Sequence, residues 1–62
     1  MERHNKMEKV TYFVSYPSES FSTEFVDEAK HAFDEGAQVV EVREVFWVVG
    51  RSKIEITVTT QW

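Results

Sequence analysis

The stretch "EVFWVVGRSKIEI", residues 44–56, decides the fold. Val45, Phe46, Trp47, Val48 and Val49 run without a polar break and stop at Gly50. Successive side chains of a strand point to opposite faces. Five apolar residues in a row therefore make both faces of one strand apolar. After the break the pattern changes. "KIEITVTTQW", residues 53–62, alternates cleanly. Ile54, Ile56, Val58, Thr60 and Trp62 share one face, and Lys53, Glu55, Thr57, Thr59 and Gln61 share the other. "GRS" is a short Gly-containing turn, so the two segments form a hairpin. A three-residue loop sets Val48 opposite Ile54 and Phe46 opposite Ile56, which gathers their apolar side chains on one face.

Upstream, "AQVVEVREVFWVV" at residues 37–49 reads as one strand, longer than average. Val40 and Val42 share a face, and Phe46 and Val48 join them only if alternation runs through Glu44. Glu44 then points inward, and a bulge near Arg43 and Glu44 removes the conflict by resetting the alternation. "KVTYFVSY", residues 9–16, is a β-branched and aromatic first strand that Pro17 ends. Between these strands lies a helix, placed at residues 21–35. Ser20, Ser22 or Thr23 supplies its N-cap. Glu24, Asp27 and Glu28 sit in its early turns, where the dipole favours negative charge. Phe21, Phe25, Ala29 and Phe33, with Val26 and Ala32, make its apolar stripe, and Gly36 follows its end. Residues 1–8 read as a flexible polar tail. The expectation is a single α+β domain at residues 9–62, ordered β-α-β-β, with one helix on a three-stranded antiparallel-rich sheet.

In that register Val40, Val42, Phe46, Val48, Ile54, Ile56 and Val58 meet the helix. Val45, Trp47 and Val49, joined by Phe13, face away from it. A buried Trp removes about 150–250 Å² from water. At ~25 cal/mol per Å², covering this face contributes several kcal/mol, comparable to the stability of a small domain. The chain has 62 residues and no cysteine. A core of this size is marginal and has no disulfide to support it. Homo-oligomerisation is therefore expected. Phe13, Val45, Trp47, Val49 and the neighbouring Glu55 are the candidates for a subunit contact or a flat-ligand site.

Seven basic against eleven acidic residues give a net charge of −4, which argues against direct nucleic-acid binding. No apolar run is long enough to cross a membrane as a helix, and the N-terminus lacks a signal-peptide pattern. A cytoplasmic location is the expectation. No nucleophile–base pair or Gly-rich phosphate loop is present, so the reading is not an enzyme. His31 shares a helix face with Asp27 and Glu35, four residues to either side. One imidazole and two carboxylates fall short of the four ligands of a structural zinc site, so no metal is expected. Glu24, Asp27, Glu28, His31, Asp34 and Glu35 instead make a charged helix face. The alternative function is an acidic protein-interaction module or inhibitor that sets this face against a basic partner.

The order of elements and several short motifs resemble dodecins, small flavin-binding proteins of β-α-β-β topology that assemble as hollow dodecamers. "KV" opens the first strand, and "SES" before Phe21 is similar to the family's Ser-rich helix start. "VVEVRE" at residues 39–44 resembles its Trp-x-Glu-Val-x-Glu strand, and "KIEITV" at residues 53–58 resembles its last strand. The resemblance implies an oligomer that sequesters a flat aromatic molecule, FMN or riboflavin. The family's flavin-stacking tryptophan falls on Val39, and its flavin-contacting glutamine on Glu55. Trp47 is then the residue left to stack, at a different place in the strand.

Overall fold

The computed structural model describes residues 5–62. Five elements follow one another: β1 (Asn5–Ser15), β2 (Ser20–Thr23), α1 (Val26–Asp34), β3 (Gln38–Val49) and β4 (Ser52–Gln61). The strands form one antiparallel sheet in the order β2-β1-β3-β4. The fold is thus α+β, with one helix on a four-stranded sheet. Element lengths set its shape. The 12 residues of β3 span roughly 40 Å, whereas the 9 of α1 span about 14 Å. The helix lies over β1, β2 and β3 and covers one end of the sheet only. The molecule measures 50 × 16 × 15 Å, with a radius of gyration of 15.1 Å. A compact chain of this length has about 10.6 Å.

Under the helix, Tyr12, Val14, Ala29, Ala32, Ala37 and Val39 form the core. Ala29 and Ala32 are small, so the helix backbone settles close to the sheet, and Val14 and Val39 are fully buried beneath it. Trp62 closes the cluster edge-on, its ring centroid 5.5 Å from Tyr12 and 5.9 Å from Phe33. The helix ends in a Schellman arrangement, Ala37 N–H donating to Ala32 O and Gly36 N–H to Phe33 O, both at 3.0 Å. Gly36 has φ +100°, a backbone conformation that side chains disfavour.

Several expectations are corrected. "SFST" is not the first turn of the helix but a short strand, with Phe21 opposite Val14 and Thr23 opposite Tyr12. Pro17 turns the chain back on β1, and pairing with that strand outweighs the local capping signal. The helix consequently starts at Val26. Thr23 still serves its start, accepting from Phe25 N–H at 3.1 Å and donating to Glu28 Oε2 at 3.0 Å. Phe25 leaves the apolar stripe and is 72% exposed. The expected tail divides: residues 5–8 extend β1, pairing with residues 45–48 of β3, and residues 1–4 lie outside the described residues.

The hairpin register differs by one. Val49 pairs with Ser52, so the loop is two residues, Gly50 and Arg51. Gly50 has φ +59° and Arg51 does not share the positive sign, which fits a type II′ turn. A one-residue slip moves every side chain to the other face. Trp47 therefore pairs with Ile54 and Val45 with Ile56, while Phe46 faces Glu55 and Val48 faces Lys53. No bulge interrupts β3, whose pairing with β1 is continuous over residues 38–48. Odd-numbered residues of β3 are on the helix side, as the buried Val39 shows, so Glu44 faces away from the helix.

Candidate functional site

Beyond α1, the helix-side face of the sheet lies open. Val45, Trp47 and Val49 of β3 meet Ile56, Ile54 and Ser52 of β4 there, and Val58 continues the row beside Arg43. Ile54, Ile56 and Val58 are 50%, 46% and 49% exposed. Val45 is buried by its sheet neighbours, Glu8 on one side and Ile56 on the other. Trp47 is half-buried between Lys6 and Ile54. The Lys6 ammonium stands 5.8 Å from its ring centroid, within cation–π reach. Arg43 Nε lies 3.3 Å from Glu8 and its Nη2 lies 3.5 Å from Glu41, so an ion-pair row separates this apolar patch from the helix-covered core.

The opposite face carries a second, smaller patch. Met7, Phe46 and Val48 line a shallow depression with Lys53, whose ammonium sits 4.8 Å from the Phe46 ring centroid. Phe13 lies on this face, half-exposed, and so does Glu55. The expected site residues thus divide between two faces: Val45, Trp47 and Val49 on the helix side, Phe13 and Glu55 on the other. Ile54, Ile56 and Val58, expected beneath the helix, instead extend the Trp47 patch. Lys6 and Met7, expected in the tail, join the sheet. The Gly-Arg order of a type II′ loop is the signal that would have found the register.

Glu24, Asp27, Glu28, His31, Asp34 and Glu35 are all exposed around α1. His31 bonds Glu35. The Tyr16 hydroxyl also donates to Glu35, at 3.4 Å. Desolvation of the phenol, then the Glu35 carboxylate and more weakly Glu19, push the Tyr16 pKa up. Among the described residues no three His, Asp or Glu side chains come together as a metal site. Val39 is fully buried beneath α1 and offers no surface.

No known protein family matches the chain, and no curated protein or solved structure matches it. Among the described residues no helix is long and apolar enough to cross a membrane.

Proposed function

We propose that the chain is a non-enzymatic, self-associating binding module. Further copies cover the open helix-side face of the sheet, and a flat aromatic small molecule stacks on Trp47. One observation carries this reading: α1 shelters one end of the sheet, and a row of half-exposed Ile54, Ile56 and Val58 continues from Trp47 past it. A contiguous apolar surface of this kind marks an interaction site. Trp47 supplies a π-face and Lys6 a cation beside it. That pair suits a planar ring bearing an anionic group, such as FMN, better than uncharged riboflavin. The likeness to dodecins supports the same class of ligand. The site geometry is this chain's own, because Val39 is buried and Glu55 lies on the other face.

Two measurements test it. Light scattering at two protein concentrations gives a mass above that of one chain. Flavin fluorescence is quenched on titration, Trp47→Ala abolishes the quenching, and Lys6→Ala weakens FMN more than riboflavin. A single-chain mass at the higher concentration refutes self-association. Undiminished fluorescence at protein concentrations well above micromolar refutes the flavin.

A further inference from the structure

We propose that a second copy of this chain pairs with the outer edge of β4, antiparallel, about a two-fold axis at Ile56. This rests on the self-association reading and adds a second contact, through the strand edge rather than the sheet face. Trp62 N–H donates to Val39 O at 3.0 Å. In an antiparallel ladder, hydrogen-bonded pairs alternate with non-bonded ones. The Val39–Trp62 pair is in step with Arg43–Val58, Val45–Ile56 and Trp47–Ile54. Even-numbered residues of β4 therefore direct their N–H and C=O groups to β3. Lys53, Glu55, Thr57, Thr59 and Gln61 direct theirs to the open edge. Among the described residues no strand covers that edge, because β4 ends the sheet. A long open edge is a template for another strand. The opposite side of the sheet offers only the four-residue β2 and residues 5–11 of β1, and the latter carry Lys6 and Glu8 on one face and Lys9 on the other, charges that guard an edge. Within β4, Lys53 and Glu55 are on one face only.

The sequence of β4 is suited to its own copy. Directly opposed residues share a face, so continuing the apolar row requires even-numbered residues to oppose even-numbered ones. An axis at Glu55 sets two carboxylates against each other, which is destabilising. An axis at Ile54 leaves half the strand unpaired, and one at Thr57 sets Ile54 against Thr60. An axis at Ile56 sets Ile56 against Ile56 and Ile54 against Val58, with Glu55 opposite Thr57 and Lys53 opposite Thr59. No like charges meet. The outward-facing backbone groups then form about eight inter-chain hydrogen bonds, close to the roughly ten of a stable interface. The apolar pairs fall at the non-hydrogen-bonded positions, where side chains approach most closely. The same axis holds the two helices roughly 40 Å apart, well beyond the screening length at physiological salt.

Disulfide trapping tests the register, because the chain has no native cysteine. Under mild oxidation, Ile56→Cys gives a covalent dimer in high yield on non-reducing electrophoresis. Ile54→Cys does not, since its own counterpart lies four residues along the paired strand. Thr57→Pro removes an N–H that only the second copy uses, and proline is tolerated on an edge strand. Light scattering of this variant then shows an assembly smaller than the wild type's, with unchanged far-UV circular dichroism. Efficient cross-linking through Ile54→Cys, or an assembly of unchanged mass in Thr57→Pro, overturns edge pairing while leaving self-association through the sheet face standing. A wild-type chain that is monomeric at high concentration overturns both.

Discussion

Replacing Ile54, Ile56 and Val58 together by threonine separates assembly from folding. Threonine keeps the β-branched shape that a strand favours. The three side chains lie outside the core under α1, so a single chain keeps its fold. Fully burying a Val or Ile side chain contributes about 1.5–3 kcal/mol. Each of the three is about half open in one chain, which leaves about 0.8–1.5 kcal/mol to gain on association. Two copies contribute six side chains, or roughly 5–9 kcal/mol in total. Threonine retains one methyl group, so the expected loss is about 4 kcal/mol, near a thousandfold in dissociation constant. Sedimentation equilibrium over a wide concentration range reads that shift, and far-UV circular dichroism confirms the fold. Thr59→Ser, on the opposite face, leaves the dissociation constant within a few-fold. A triple variant that assembles at the same concentration as the wild type refutes the assignment of this face to self-association.

Three further outcomes follow from the same geometry. Thr23→Val keeps shape but removes the bonds to Phe25 N–H and Glu28, and should cost about 1–2 kcal/mol. Its melting temperature should fall by roughly 5–15 °C, and an unchanged melt would remove Thr23 from the helix start. Gly50→Ala places a side chain at φ +59° and should cost about 1–2 kcal/mol, loosening the hairpin tip in hydrogen exchange, whereas full retention of tip protection would exclude the type II′ loop. Tyr16 has its pKa raised in the fold, so its contribution is complete below the ordinary phenol range and lost as pH rises through the raised value. Thermal melts at rising alkaline pH should therefore fall less steeply for Tyr16→Phe than for the wild type; equal slopes would exclude this linkage.

The sequence made the fold class, the helix C-terminus and the surplus of apolar strand legible, and each for a physical reason. Gly36 marks a left-handed position, and the Schellman bonds around it follow. Pro17 ends the first strand where it removes a ladder donor. The unbroken run from Val45 to Val49 announced two apolar faces, and the structure leaves both open at the hairpin end. Which face was which turned on one residue of loop length, and period-2 side chains leave no tolerance for that error. The short strand β2 was hidden because Ser20, Ser22 and Thr23 are good capping residues, and only β1 alongside selects the extended form. Residues 5–8 look like tail because Lys6 and Glu8 are charged. Their pairing partners, Trp47 and Val45, lie some 40 residues away in sequence.

In the proposed assembly, the small size of the helix-covered core would give association a role in stability. Three of its members, Ala29, Ala32 and Ala37, bring close packing but little apolar area. Larger side chains, Trp47, Ile54, Ile56 and Val58 among them, lie beyond the helix, where one chain leaves them partly wet. A chain that reserves so much of its apolar surface for the uncovered end gains much of its hydrophobic stabilisation only when that end is covered. Were a second copy to cover it, association would add to the stability of the folded single chain, and the melting temperature would rise with protein concentration. The hairpin is thus the least sheltered part of the single chain, and in the proposed assembly it is the part that a second copy would stabilise most.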